Sequence, residues 1–149
     1  MGTPDNEENV TDSPTGWVLK HVREYVESDG NKGARKWGSP SLLITTRGRR
    51  TGTLRRTALF YGTDGGRYLV VPSNGGAAKP PAWYLNLLDD PKVRIQVGDE
   101  KFDAVARVAS AAEKPSLWKV MTAIYPTYDA YQARTKRDIP VVIIERADG

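Results

Sequence analysis

Apolar and polar residues alternate in several short stretches of the chain, which is the pattern of half-buried strands. In Lys92–Val97, for example, Val93, Ile95 and Val97 alternate with polar residues. Turns such as Asp64-Gly65-Gly66 separate some of these stretches and indicate hairpins. Six strands are predicted in this way: Ser41–Thr46, Thr57–Gly62, Arg67–Pro72, Lys92–Val97, Phe102–Val108 and Ile139–Ile144.

Other stretches carry apolar residues at helical spacing. The first, Trp17–Val26, has them three, four and one positions apart. Three more helices are predicted at Pro81–Leu88, Ala111–Tyr125 and Thr127–Lys136. Mainly antiparallel strands with flanking helices predict an α+β fold, built on a small sheet or barrel of about six strands.

Length and residue types narrow the class of protein. A chain of 149 residues fits one domain, predicted at 16–149, behind an acidic tail at 1–15 that is predicted to be disordered. The lack of cysteine excludes disulfides, thiolate metal sites and a cysteine nucleophile. The single histidine, His21, is predicted to be a surface or boundary residue, and no metal site is predicted. The polar N-terminus and the absence of a long apolar run predict a cytoplasmic protein.

Basic residues are concentrated in the predicted domain. The net charge is +4, but residues 1–16 contain four acids and neither Lys nor Arg. Residues 17–149 therefore hold 22 basic against 14 acidic residues, or +8. A domain of this charge suits an anionic partner. Charge alone does not distinguish among three kinds of partner, namely nucleic acid, an anionic membrane and an anionic ligand.

The densest basic segment is 47–56, where five arginines and two glycines lie between two predicted strands. Arginine makes bidentate contacts with phosphate or carboxylate, and glycine lets backbone N–H groups approach an anion. The spacing is not that of a P-loop. Taken alone, this segment fits an anion-binding loop and a solvated Arg-rich hairpin equally well.

A second candidate lies where a predicted strand ends. Ser73–Ala78 is a Gly-containing loop, Lys79 follows it, and a helix begins near Pro81. The N–H groups of a helix N-terminus form a site for an anion. Core packing better explains three side chains of that helix, namely Trp83, Tyr84 and Leu87.

Three tyrosines form a third candidate. Tyr125 precedes a predicted helix that carries Tyr128 and Tyr131 three positions apart, so the phenols lie roughly on one face. Phenols are protonated donors at neutral pH and suit a pocket for an aromatic substrate. Core packing is the more common role of any single tyrosine.

Seven segments follow one another in a recognisable order: Thr45–Gly52, Arg55, Asp64-Gly65-Gly66, Ser73–Leu87, Asp90-Pro91, Tyr125-Pro126 and Arg137–Val142. This order resembles the deazaflavin-dependent nitroreductase family of actinobacteria over essentially residues 17–145. The resemblance implies coenzyme F420 as the cofactor. It also implies a split β-barrel related to FMN-binding barrels.

The resemblance also implies a set of site residues. F420 carries a phosphate and several carboxylates, which suit an Arg-rich loop. The residues implied to bind the cofactor are Arg49, Arg50, Thr51, Arg55, Thr57, Ala58, Ser73, Gly75, Gly76, Lys79, Trp83 and Asn86. Those implied to lie on the substrate side are Trp17, Phe60, Tyr125, Tyr128 and Tyr131. The first catalytic candidate is Tyr128 and the second is Ser73. Each is implied to donate a hydrogen bond to the acceptor oxygen.

The implied activity is hydride transfer from reduced deazaflavin to a small electron-poor acceptor such as a quinone, an enone or a nitroaromatic. One alternative is an FMN-binding protein of the same barrel, although five arginines exceed what one phosphate needs. Another is a nucleic-acid-binding domain, which fits the pI of about 9.4 but lacks aromatic residues interleaved with the basic ones. No nucleic-acid partner is therefore predicted. Two further interactions remain as alternatives. One is peripheral membrane association through Trp17–Val26, and the other is formation of a homodimer.

Overall fold

Nine strands and four α-helices occur in the residues that the computed structural model describes, which are 10–12, 16–28, 35–36 and 39–147. The strands are β1 (Val10–Asp12), β2 (Arg35–Lys36), β3 (Ser39–Arg47), β4 (Leu54–Phe60), β5 (Gly62–Asp64), β6 (Arg67–Val70), β7 (Lys92–Val97), β8 (Glu100–Val108) and β9 (Val142–Arg146). The helices are α1 (Gly16–Glu27), α2 (Ala82–Asp89), α3 (Lys114–Ile124) and α4 (Thr127–Arg134). The prediction of six strands is too low, because β1, β2 and β5 are too short to show an alternating pattern.

One sheet contains all nine described strands, in the order β1-β4-β3-β7-β8-β9-β6-β5, with β2 paired to β3. Strand β1 runs parallel to β4, and the other described pairs are antiparallel, so the sheet is mixed. Val10–Asp12 thus form a strand inside the predicted tail. The rest of 1–15 lies outside the described residues, and a domain boundary at residue 16 stays a prediction.

A single short connection forces the sheet to curl. Strands β4 and β5 are second and last in the strand order, roughly 29 Å apart in a flat sheet. Only Tyr61 separates them along the chain, and such a link spans about 7 Å. The two ends of the sheet must therefore approach each other. No ladder among the described strands joins them, so the sheet is open rather than a closed barrel.

Strand β9 is buried on both faces over residues 142–144, where it separates two parts of the core. Val142 belongs to a cluster that includes Leu87 of α2 and Ile44 of β3. Its neighbour Ile143 belongs to a second cluster, which includes Met121 of α3. Because successive residues of a strand point to opposite faces, β9 fixes α2 on one side and α3 on the other.

Tyr25 holds α1 against the sheet. Its side chain is buried beside Val22 and Leu43. The hydroxyl donates a hydrogen bond to the main-chain oxygen of Ser41 (3.0 Å) and accepts one from the main-chain nitrogen of Gly98 (2.7 Å). Burial raises the pKa of Tyr25, so the phenol stays neutral and keeps its donor. Helix α1 is thereby fixed across β3.

Two strand boundaries differ from the prediction for identifiable reasons. Strand β9 begins after Pro140, which has no N–H for a ladder, rather than at Ile139. The main-chain nitrogen of Ile139 donates instead to the side-chain oxygen of Gln132 (2.9 Å). Strand β4 begins at Leu54 rather than at Thr57. The Arg-rich segment therefore contains only a short, tight turn between β3 and β4 instead of a long loop.

Candidate functional site

A cavity of about 920 Å³ runs along the outer edge of β4. Six consecutive residues, Arg55–Phe60, line it, so both faces of the strand contribute. Strand β1 pairs only with Leu54–Arg56, and no described strand pairs with β4 on this side beyond that range. Just after β4, the nitrogen of Tyr61 donates to the oxygen of Pro40 on the β3 side (3.2 Å). Because backbone groups alternate in direction, the N–H and C=O of Ala58 face the cavity.

The structure brings most of the predicted site residues to this one cavity. From the predicted cofactor set, the lining residues are Arg49, Arg50, Thr51, Arg55, Thr57, Ala58, Ser73, Gly75, Trp83 and Asn86. From the predicted substrate set, they are Phe60, Tyr125, Tyr128 and Tyr131. Their individual roles stay predictions.

Arginines form one end of the cavity, where β3 turns into β4. The turn is closed by hydrogen bonds from the nitrogen of Gly48 to the oxygen of Thr53 (2.7 Å) and from the nitrogen of Gly52 to the oxygen of Gly48 (2.8 Å). Gly52 has a φ of 73°, which glycine adopts without strain. The exposed residues that line this end are Arg49, Arg50, Thr51 and Arg55. Three guanidinium groups suit a ligand with several anionic groups.

Asn86 of α2 fixes the orientation of one of these arginines. Its side chain is 3% exposed. The Oδ1 atom accepts hydrogen bonds from the main-chain nitrogen (3.2 Å) and the guanidinium (3.0 Å) of Arg49, and Nδ2 donates to Thr46 Oγ1 (3.2 Å). The side chain of Asn86 thus makes its hydrogen bonds within the protein, and it affects a ligand through the orientation of Arg49.

The Gly-containing loop after β6 forms another wall of the cavity. Ser73, 8% exposed, and Gly75 line it. Arg137 supports the loop, because its guanidinium donates to the main-chain oxygens of Pro72 (3.1 Å), Ser73 (2.9 Å) and Ala77 (3.0 Å). Arg137 was part of a sequence motif but had no predicted role, and this support explains its place there.

Two residues assigned to the cofactor by resemblance do not line the cavity. Gly76 is buried beneath α4, where a Cβ atom would lie 2.7 Å from the main-chain oxygen of Tyr131. Lys79 is exposed, and its main-chain oxygen accepts a hydrogen bond from Asn74 Nδ2 (2.9 Å). The side chain of Trp17, predicted on the substrate side, lies outside the described residues.

Aromatic side chains form the other end of the cavity. The ring of Tyr125 lies between Phe60 and Tyr128, with centroid distances of 4.9 and 5.0 Å. The hydroxyls of Tyr125 and Tyr131 are hydrogen-bonded to each other (3.2 Å). Tyr128 is 5% exposed, and its hydroxyl has no hydrogen bond to another described residue. Burial above all, with smaller effects from the two neighbouring phenols, raises the pKa of Tyr128, so its O–H remains a donor at neutral pH.

An ion pair that sequence analysis missed joins β1 to the cavity wall. The guanidinium of Arg56 contacts both carboxylate oxygens of Asp12, at 2.6 and 3.3 Å, and the two side chains are 10% and 19% exposed. Both residues line the cavity. Because Asp12 lies in the segment predicted as a disordered tail, no sequence signal links the two.

Two further cavity residues were also missed. His21 is only 5% exposed, which corrects its prediction as a surface or boundary residue. Helix α1 turns this side chain toward the sheet. Such a contact between distant parts of the chain leaves no pattern in the local sequence. Ser41 is 1% exposed, and its Oγ atom is buried without a hydrogen-bond partner among the described residues.

The described ranges contain neither a group of side chains that could hold a metal ion nor a helix that could cross a membrane. Within them, no three acidic or histidine side chains come together as a group that could hold a metal ion. None of the described helices has the length and apolar character needed to cross a membrane.

Known proteins resemble this chain over most of its length. A protein-family model described as F420H(2)-dependent quinone reductase matches residues 17–146. An F420H(2)-dependent quinone reductase of Mycobacterium tuberculosis (strain H37Rv) is 38% identical over an alignment of 143 residues, covering 87% of this chain and 96% of that protein. A solved structure of an F420-H2 dependent reductase is 39% identical with a TM-score of 0.66, covering 71% and 94%. Another, described as a domain-swapped dimer, is 36% identical with a TM-score of 0.69, covering 89% and 100%. The chain therefore belongs to the F420H(2)-dependent quinone reductase family.

Proposed function

We propose that this protein is an F420H2-dependent reductase that transfers a hydride to a quinone or a similar electron-poor acceptor. The observation that carries the proposal is the polarity of the cavity, which has arginines at one end of β4 and aromatic side chains at the other. Arg55 and Phe60 mark these ends and lie roughly 17 Å apart along the strand. A cofactor with a long anionic tail and a flat ring fits a cavity of this kind.

The cationic end fits the tail of F420, which carries a phosphate and several carboxylates. Arg49, Arg50 and Arg55 supply forked N–H donors that match both kinds of group. Thr51 adds a hydroxyl. FMN has one phosphate and no carboxylate tail, so three arginines at this end favour F420 over FMN.

The middle of the cavity fits a planar heterocycle. The N–H and C=O groups of Ala58 face it, and they match the donors and acceptors on the edge of a deazaflavin. Ser73 and Trp83 line the same part of the cavity. When bound, F420H2 would supply the hydride. The residues of this chain would hold its ring along β4, next to the aromatic end where the acceptor is proposed to bind.

The aromatic end suits the acceptor. Phe60 and Tyr125 offer apolar ring surface to a flat molecule and exclude water from it. Tyr128 is the donor in this proposal, because its O–H is protonated and has no hydrogen bond to another described residue. It stabilises the negative charge that develops on the acceptor oxygen.

The proposal is tested by titrating the purified protein with oxidised F420 while following the fluorescence of the cofactor, with FMN in a parallel titration. We expect saturable binding of F420 at micromolar or lower concentration and no binding of FMN. Failure to saturate with F420 would refute the proposal. Binding of FMN alone would then favour an FMN protein. If neither binds, titration with DNA at rising salt tests the nucleic-acid alternative, whose affinity must fall steeply.

Asn86→Ala is expected to weaken F420 binding about tenfold, because Arg49 loses the acceptor that orients its guanidinium. The same titration measures the change. The matched ligand is the deazaflavin riboside without phosphate and tail, whose affinity should stay the same. Equal weakening of both ligands would contradict a role through Arg49. Arg49→Ala should weaken F420 binding similarly, and the double variant should be little weaker than either single one.

Narrower properties also belong to this proposal. Enones and nitroaromatics share the electron-poor π system of quinones, so we include them as acceptors. The curled open sheet is proposed to be a split barrel, supported by the one-residue link at Tyr61. A homodimer is proposed because one similar structure is described as a domain-swapped dimer. A cytoplasmic location and membrane contact through α1 stay predictions.

A further inference from the structure

The cavity wall contains a buried hydroxyl that the proposed reaction does not use. Ser41 Oγ is the one buried side-chain nitrogen or oxygen without a hydrogen-bond partner among the described residues. Such a group is unfavourable in a folded protein, because it has lost its hydrogen bonds to water and gained none. In the wall of a cavity it marks a position where a ligand can supply the missing partner.

The position of Ser41 places this hydroxyl near the aromatic end. Ser41 is paired with Phe60 across the β3–β4 ladder, and paired residues carry their side chains on the same face. Phe60 in turn packs against Tyr125. On the covering helix, His21 lies one turn before Tyr25, whose hydroxyl donates to the main-chain oxygen of Ser41. Ser41 is thus a polar cavity residue on the same face as a ring proposed to contact the acceptor, and His21 lines the same cavity.

We propose that Ser41, bordered by His21, forms a subsite that donates a hydrogen bond to a carbonyl oxygen of the acceptor. The inference rests on the proposed function, since it concerns the acceptor of the same cavity. A quinone has two carbonyl oxygens, whereas a simple enone has one. Tyr128 donates a hydrogen bond to the quinone oxygen on which charge develops, and Ser41 donates one to the other quinone oxygen. The subsite therefore favours acceptors with two carbonyl groups.

Ser41→Ala has an unusual expected effect on the protein without ligand. Removing a hydroxyl that has no partner deprives the fold of no hydrogen bond, so the Tm should equal or exceed that of the wild type. The matched control is Ser116→Ala on α3, where the exposed Oγ donates to the main-chain oxygen of Glu113 (3.2 Å) away from the cavity. A fall in Tm larger than that of the control would mean that Ser41 Oγ is partnered within the fold, and would overturn the proposal.

The ligand part of the test uses calorimetric titration into protein saturated with oxidised F420, where no turnover occurs. In Ser41→Ala the Kd of menadione should rise about fivefold. The Kd values of F420 and of cyclohexenone, which has one carbonyl, should stay as in the wild type. An unchanged Kd for menadione, or equal weakening of both acceptors, would overturn the subsite. If the wild type does not bind F420 at all, the proposed function fails instead, so the two failures are distinct.

Discussion

Tyr128→Phe is expected to lower kcat for quinone reduction by F420H2 about 100-fold, with little change in the Kd of F420. A quinone that accepts a hydride carries negative charge on an oxygen until a proton reaches it. Tyr128 is the suitable donor, because its hydroxyl has no hydrogen bond to another described residue, whereas one of the hydroxyls of Tyr125 and Tyr131 already donates to the other. The substitution removes the hydroxyl and keeps the ring that packs in the core with Met121.

Steady-state kinetics with menadione measure this effect, and Tyr84→Phe is the matched control. Tyr84 lies on α2 and does not line the cavity, so its variant should retain the wild-type rate. A phenol donates only below its pKa, and burial raises the pKa of Tyr128. The wild-type rate should therefore show no loss from this group up to about pH 10. Unchanged turnover of Tyr128→Phe with every acceptor tested would remove the proposed role.

Gly76→Ala is expected to lower the free energy of unfolding by about 3 kcal/mol, which is a large part of the stability of a small domain. The new Cβ would lie 2.7 Å from the main-chain oxygen of Tyr131 and 3.0 Å from Arg134 Cβ. A helix backbone cannot move aside as the end of a flexible side chain can. The φ of 82° at this position adds strain for any residue with a Cβ.

Urea unfolding followed by tryptophan fluorescence measures this loss, and Gly65→Ala separates its two causes. Gly65 also has a positive φ, of 59°, but a Cβ there would have nothing within 4 Å. This variant should lose only about 1 kcal/mol. Equal losses in the two variants would contradict the clash with α4. Because α4 carries Tyr128 and Tyr131, the Gly76 variant should also bind acceptors more weakly.

Patterns that are local in sequence predicted the fold best. The alternation in Lys92–Val97 identifies β7 with the same bounds, because Val93 and Ile95 are buried in the core, although Gln96 between Ile95 and Val97 is buried as well. Helix α4 begins at Thr127 as predicted, directly after a proline. Strands of two or three residues, such as Gly62–Asp64, exist only because a neighbouring strand pairs with them. No periodicity within such a short segment could have revealed them.

The site residues also divide into those that local sequence patterns predicted and those that only tertiary packing brings to the cavity. Arg49 and Tyr128 stood out because their neighbours in sequence repeat the same chemistry. His21 and Ser41 did not, since each becomes a cavity residue only when α1 packs on β3. Gly76 was predicted to bind the cofactor from its place in a loop before α2, but it does not line the cavity. Its burial under α4 depends on a packing contact that sequence spacing does not encode.

The half-covered edge of β4 has a consequence for how copies of the protein behave toward one another. An uncovered strand edge is a template for pairing with another chain, and many proteins protect it with charges or bulges. Here β1 covers the edge at Leu54–Arg56, and beyond it the edge lies within a cavity walled by His21 and Trp83. Inside this recess Ala58 is less accessible to a second sheet than it would be on a flat edge. The recess thus keeps the edge available to a ligand while lowering its exposure to other chains.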